Sequence, residues 1–279
     1  MARKNIFEKL AEHWDLNREV SRIYELVHIK DSIGVRKTRC TLEDFVRDDC
    51  FSKWKNKKRC IDLDDFLETL TYDDIRYQAY EDVEAFLEFI EIVYNLHQLA
   101  FVEINQYDDC TCLDEFVILK SIMDECLEHF NHMAYIDEEK EQVLIVEKDA
   151  AVTAAIEIEE DDEIAFDILK YNHHALKGEI GQKKSILLKL GAQLEPRRSE
   201  LEDANDTLTQ NIFMLLNNLN IRHNNCSEGD SKYKAVVAEM VPDELEAWYD
   251  ELYQMLLLAK LELDNIGRIA KVQELRSRL

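Results

Sequence analysis

Glycine and proline are scarce in this chain, with 6 and 2 residues respectively among 279. An all-β sandwich or barrel needs frequent turn residues, so this shortage favours long helices joined by short polar loops. Apolar residues make up 46% and charged residues 33%, which is the profile of a folded protein rather than of a disordered chain. The length allows one large helical domain or two smaller ones.

The motifs that bind common cofactors are also missing. The chain contains no G-x-G-x-x-G and no G-x-x-x-x-G-K-[ST], which argues against dinucleotide and P-loop nucleotide chemistry. It contains no G-x-S-x-G, H-E-x-x-H or C-x-x-C either, so the hydrolase, zincin and thioredoxin signatures are absent. We therefore expect no cofactor and no bound metal.

Long hydrophobic runs are lacking, because the longest, at residues 143–146 and 255–259, cannot span a bilayer. The first residues carry charges and no apolar stretch of signal-peptide length. Seven cysteines, an odd number, are spread from Cys40 to Cys226, which fits reduced thiols better than a disulfide framework. These features predict a cytoplasmic protein that makes no membrane contact.

Acidic residues dominate, with 59 against 34 basic ones and a net charge of −25. Such a charge disfavours unspecific adhesion to nucleic acid and suits a protein partner of opposite charge. Two segments are basic instead: residues 30–59 hold ten basic and five acidic residues, and residues 182–198 hold five basic residues and one acidic residue. We expect any polyanion to bind at one of these two segments.

The first basic segment contains the sequence Lys53-Trp-Lys-Asn-Lys-Lys-Arg59, which joins cations to an aromatic ring. Single-strand binding proteins combine the same two groups. A solvated loop that balances an acidic surface is the alternative. The candidate RNA-binding side chains here are Lys53, Lys55, Lys57, Lys58 and Arg59.

Apolar residues recur at helical spacing along most of the chain. The predicted helices cover residues 6–14, 20–27, 83–97, 116–130, 150–158, 164–169, 183–194, 201–221 and 242–264, with Gly267 ending the last one. Residues 132–147 instead read as a small β-hairpin. The expected fold is all-α, a helical bundle with one small β-hairpin, divided into a helical region at 1–131 and a hairpin plus bundle at 132–279.

The sequence Asn217-Asn-Leu-Asn-Ile-Arg-His-Asn-Asn225 follows the leucine stripe of the 201–221 helix. Arg222 and His223 interrupt this stripe with a cation and an imidazole. One interpretation is that they complement the negative end of the helix while an asparagine takes the left-handed cap. The other is a phosphate-binding or catalytic site, in which His223 acts as general acid or base and Arg222 stabilises a charged phosphorane.

A resemblance adds to the second interpretation. Residues 165–265 contain Tyr171-Asn-His-His, Lys183-Lys-Ser-Ile-Leu, Leu194-Glu-Pro-Arg-Arg, the 215–225 sequence and Glu246-Ala-Trp-Tyr-Asp-Glu-Leu-Tyr253. This region resembles the helical C-terminal region of AbiJ-like abortive-infection proteins of the HEPN superfamily. The resemblance implies a bundle of four or five helices, frequent homodimers and, in active members, metal-independent RNA cleavage. The family's signature is an Arg, four to six residues and a His, whereas Arg222 and His223 are adjacent.

Two functions follow from these observations. The first is an intracellular anti-phage effector that binds or cleaves RNA through Arg222 and His223, with further phosphate contacts from Asn217, Asn218, Asn224, Lys183 and Lys184. The second is a non-catalytic HEPN-like interaction or nucleotide-binding module, in which the same residues are structural and the acidic surface contacts a protein.

Several other histidines and cysteines could form catalytic, metal or phosphate sites. Arg22 and His28 have the family's spacing but point to different faces of a helix. Cys126, His129 and His132, with Cys110 and Cys112, match no standard zinc spacing, so a buried thiol is preferred. His97 fits a core histidine, and His173-His174 could contact phosphate. Finally, the 242–264 helix carries an apolar and aromatic band that is wider than one helix contact requires, which predicts a homodimer. The band consists of Trp248, Tyr249, Leu252, Tyr253, Met255 and Leu256.

Overall fold

The computed structural model describes residues 14–30, 32–35, 38–106, 110–112 and 114–279. The chain divides into two compact units, residues 1–147 and residues 148–279. This division lies after the hairpin, whereas the sequence analysis placed the boundary before it. The predicted helix at 6–14 lies outside the described residues except for Trp14.

Unit 1 is a helical layer with two small sheets. Its helices are α1 (Leu16–Val27), α2 (Leu42–Phe45), α3 (Leu63–Thr69), α4 (Tyr72–Gln78), α5 (Val83–Ile104) and α6 (Asp114–His129). A π-helical turn (Val46–Cys50) and two 3-10 turns (Phe51–Lys53, Lys55–Lys57) follow α2. The strands are β1 (Ile33–Val35), β2 (Thr38–Cys40), β3 (Cys110–Cys112), β4 (His132–Asp137) and β5 (Gln142–Glu147).

Helix α5 forms the centre of the unit 1 core. Asp82 caps its first turn through the backbone N–H of Ala85 at 3.2 Å, and Phe86, Phe89, Ile90 and Val93 are fully buried. By length and composition α5 is apolar enough to cross a membrane, but 61% of its most apolar stretch is buried inside the protein. Burial of this kind is what a core helix requires, because an all-round apolar helix must be covered.

The hairpin β4–β5 is held to α5 by side chains of that helix. Asn95 donates to the carbonyl of Val143 at 2.9 Å and accepts from its N–H at 2.8 Å, and Glu91 accepts from the N–H of Ile145 at 2.7 Å. These bonds satisfy the open edge of β5, which would otherwise leave unpaired backbone groups. The hairpin therefore belongs to unit 1.

A second sheet was not predicted. Strands β2, β1 and β3 pair antiparallel in that order, with Ile33 opposite both Cys40 and Cys112. Each strand has three residues, too few to show an alternating pattern in the sequence.

Unit 2 is a helical bundle. Its helices are α7 (Ala150–Glu157), α8 (Asp162–Tyr171), α9 (Ile180–Leu194), α10 (Arg198–Asn218), α11 (Ala235–Ala238) and α12 (Pro242–Arg278). Asp149 and Asp161 cap α7 and α8 with their carboxylates. Helices α9 and α10 pack against α12, which is the long helix of the unit. The predicted all-α fold with a hairpin is thus confirmed, with the extra sheet as an addition.

Two expectations about α12 need correction. Gly267 does not end the helix, which continues to Arg278. A helix-interior glycine costs only about 1 kcal/mol, and i,i+4 ion pairs flank it, such as Arg268 with Asp264 at 2.5 Å. The aromatic band is also mostly internal: Tyr249, Leu252, Tyr253 and Leu256 are at most 1% exposed and pack within the chain. The band that motivated the homodimer is therefore largely accounted for by the bundle core.

Candidate functional site

Helix α10 ends earlier than predicted, at Asn218, and the chain turns at Asn220 with a left-handed φ of 57°. Asparagine tolerates this conformation, so the expected left-handed asparagine cap is present. The turn places Arg222 and His223 in an irregular loop beyond the helix. Their side chains are therefore free to take directions that neighbouring helical residues would not share.

Asn225 organises this loop, and the sequence analysis did not single it out. The residue is fully buried. Its side chain accepts from the N–H of Asn220 at 2.8 Å and donates to the carbonyl of Lys232 at 2.7 Å, and its carbonyl accepts from the N–H of Lys234 at 2.8 Å. A single side chain thus ties the start of the loop to its end.

Arg222 is held by contacts with the end of α9. Its guanidinium lies 2.5 Å from the carboxylate of Glu195, donates to the carbonyl of Gly191 at 3.2 Å, and lies over the ring of Phe213 at 5.2 Å from the centroid. The side chain is 19% exposed. Arg222 thus faces the end of the basic 182–198 segment, where its partner is a carboxylate.

His223 points elsewhere. It is exposed, as is Asn224, and neither side chain makes a hydrogen bond to the described part of the chain. Asn217 is half-buried, and Asn218 donates to the carbonyl of Met214 at 2.7 Å, within its own helix. Asn217 and Asn218 thus lie at the end of α10, and the hydrogen bond of Asn218 stays within that helix.

Lys183 is a structural cation rather than a phosphate ligand. Its ammonium lies 2.7 Å from both Glu246 and Asp250 of α12, and 5.1 Å from the ring centre of Tyr171. The side chain is only 8% exposed. Burial alone would raise the pKa of Glu246, but the bonds from Lys183 and from the N–H of Gly178 lower it below its usual range. The neighbouring Lys184 is half-buried, without a partner among the residues that the structure describes.

Two of the five cations in the 53–59 segment are paired with distant acids. Lys53 pairs with the buried Glu103, and Lys55 lies 2.8 Å from Glu141. Lys57 donates to the carbonyl of Ser52 at 2.6 Å, while Lys58 and Arg59 are exposed. A cleft of about 390 Å³ beside Lys53 carries more carboxylates than cations.

Trp54 is not a stacking platform, which corrects the comparison with single-strand binders. It is 5% exposed, packs edge-on against Phe51 and Phe66, and donates from Nε1 to the carbonyl of Glu141 at 2.7 Å. A base cannot stack on a ring that is already covered.

His28 belongs to a charged cluster that opens on a cleft of about 530 Å³ in unit 1. Its Nδ1 lies 2.8 Å from the carbonyl of Tyr24, and its Nε2 lies 2.8 Å from the carboxylate of Glu43. The hydrogen bond to Glu43 raises the pKa of His28 and lowers that of Glu43 to about 2. Arg22 pairs with Glu19 instead, so Arg22 and His28 do not form a site.

Two further candidates, His97 and Cys126, are buried and behave as core groups. Burial lowers the pKa of His97 to about 4, and its ring stacks on Phe116, as a core histidine should. Burial raises the pKa of the Cys126 thiol to about 12, and His129 stacks on Trp14. The side chains of Cys110 and Cys112 lie outside the described residues.

Comparison with known proteins adds no relative: no family model, no curated protein and no solved structure matches the chain.

Proposed function

We propose that this chain is a non-catalytic interaction module of an intracellular anti-phage defence system, which acts by binding a protein partner rather than by cleaving RNA. The resemblance to HEPN-type abortive-infection proteins motivates the defence role. The charge of −25 suits a partner with a basic surface, because complementary potentials steer association.

The ion pair between Arg222 and Glu195 is the observation that carries this proposal. A cation that stabilises a phosphorane must face the phosphate without an anion beside it. Glu195 occupies that position, and its charge would repel a phosphate. A general acid or base must also lie within hydrogen-bond reach of the same phosphate, whereas the exposed His223 is not held toward Arg222.

The buried Lys183 supports the same conclusion. Its charge is balanced by two carboxylates, and Arg222 is paired with Glu195, so neither residue offers an unpaired cation to a phosphate. The neighbouring Lys184 contributes a single charge, which is a weak anchor for a polyanion.

A metal-independent ribonuclease is the second candidate. It is favoured by one observation, the exposure of His223 without a partner among the described residues, since an unengaged imidazole is accessible to a substrate. Under this alternative, RNA would displace Glu195 from Arg222 on binding.

Phage infection of cells that express the chain separates the two candidates. We expect wild type to lower the number of plaques and His223→Ala to protect equally well, because no chemistry depends on the imidazole. Asn224→Ala, which changes an equally exposed neighbour, is the matched control. Loss of protection in His223→Ala alone would favour the ribonuclease, and wild type that gives no protection would refute the defence role.

A further inference from the structure

The C-terminal section of α12 has no partner among the residues of its own chain that the structure describes. Every residue from 267 to 279 is exposed, although helix continues to Arg278. The section nevertheless carries large apolar side chains, with Val272 50% and Leu275 56% exposed. A helix that is stable and exposed on all sides rarely presents such residues unless another surface covers them.

The exposed apolar residues follow the spacing of a coiled coil. Steps of three and four residues connect a line of positions along the outer face of α12, which we call the outer line: Leu258, Leu261, Asn265, Arg268, Val272, Leu275 and Leu279. The line begins where the helix still packs on the bundle, yet Leu258 is 49% exposed there. A helix can therefore lie along the line from Leu258 onward.

The charges of α12 indicate what covers this line. Residues 267–279 carry four basic side chains and one acidic one, whereas residues 254–266 carry two acidic side chains, Glu262 and Asp264, and one basic one. Two copies arranged antiparallel bring the basic section of each against the acidic section of the other. Parallel copies would oppose like charges instead.

We propose that the outer line of α12 pairs antiparallel with the outer line of a second copy of this chain. This inference does not depend on the proposed function, and its surface differs from the aromatic band that packs inside the bundle.

One register satisfies both the apolar and the polar positions. It places Leu258 opposite Leu275 of the second copy and Leu261 opposite Val272. The two polar positions, Asn265 and Arg268, then face each other at the centre, where hydrogen bonds can satisfy them. A shift by one heptad would oppose Asn265 to Leu275 and Arg268 to Val272, which buries polar groups against apolar ones.

The same register pairs Asp264 with Lys271 of the second copy, and by symmetry the pair occurs twice. Both residues flank the outer line, where charged side chains set the orientation of coiled-coil partners. In a parallel arrangement of the same line, Lys271 would face Arg276 instead. Asp264 and Lys271 therefore report on the direction of the helices.

The first experiment is light scattering of the full chain over a micromolar concentration range. We expect wild type to dimerise and Leu275→Glu to weaken the dimer by at least about tenfold in Kd, since a buried leucine contact becomes a charge. Leu275 is 56% exposed, so the circular dichroism spectrum should be unchanged. Ser277→Glu adds the same charge on the opposite face of the helix and should leave the dimer intact.

Charge reversal tests the register. Asp264→Lys and Lys271→Asp should each weaken the dimer, and the double variant should restore it. Failure of the double variant to restore dimerisation would refute the antiparallel register. Three results would overturn the proposal. Wild type could stay monomeric at all concentrations, or the dimer could be unaffected by Leu275→Glu. The third is a monomer whose binding to phosphatidylglycerol vesicles requires Leu275.

Discussion

Replacement of Lys183 by methionine tests most sharply whether this basic residue serves the fold or a phosphate. Methionine keeps the length of the side chain and removes its charge. Two charge-assisted bonds are lost, to Glu246 and to Asp250. Asp250 is half exposed and can hydrate again, whereas Glu246 is 15% exposed and retains the N–H of Gly178 at 2.8 Å and the nearby charge of Lys177.

The expected loss lies between the value for one charged hydrogen bond and that for a fully buried broken ion pair, at about 3 kcal/mol. For a unit of this size, such a loss lowers Tm by about 10 °C in a calorimetric melt. Lys184→Met is the matched control, since Lys184 is half-buried and without a described partner, and we expect less than about 0.5 kcal/mol.

The pH dependence provides a second readout. The folded protein holds the pKa of Glu246 below its usual range, so the pair contributes stability above the unfolded pKa and loses it as pH falls through the folded pKa. The difference between wild type and Lys183→Met should therefore shrink in acid. If Lys183→Met and Lys184→Met have the same Tm at neutral pH, this reasoning is refuted. If both variants also lose RNA binding, that result supports a phosphate site.

Three further predictions concern other contacts. Asn225→Ala should lower the free energy of unfolding, measured in urea, by about 3 kcal/mol, because two loop backbone groups lose their partner. Asn224→Ala should leave the free energy of unfolding unchanged. Gly191→Ala should cost about 1 kcal/mol despite its better helix propensity, because its Cβ would lie 2.8 Å from two methyls of the buried Leu216; a stabilised variant would contradict this. Wild type should lose stability as pH rises above 6.5 through the raised pKa of His28. His28→Gln should remove this pH dependence, and the measurement compares the urea unfolding midpoints at pH 6 and pH 9.

The sequence predicts the longer helices because their apolar stripes and caps are local signals. Asp15, for example, lies between the predicted helices 6–14 and 20–27 and caps α1, and α9 ends before Pro196. The short strands β1 to β3 could not be predicted, since three residues carry no periodicity. The sequence wrongly predicts a helix end at Gly267, because the low helix propensity of glycine takes no account of the flanking residues that continue the helix.

The site was harder to predict because charge partners come from distant parts of the chain. The sequence shows Arg222 beside His223, but Glu195 becomes its neighbour only when α9 and α10 pack together. Lys53 is likewise counted as a free cation until α5 brings Glu103 against it. Asn225 is buried and Asn224 is exposed, a difference that five asparagines in nine positions do not reveal.

The most direct test of the account is a paired measurement on purified Arg222→Leu and His223→Ala. It combines an RNA cleavage assay in the presence of chelator with urea unfolding of the same preparations. We predict that wild type does not cleave RNA, that Arg222→Leu loses about 1.5 kcal/mol with its ion pair and carbonyl contact, and that His223→Ala unfolds like wild type. Cleavage by wild type that both substitutions abolish, with stability unchanged in both, would contradict the account.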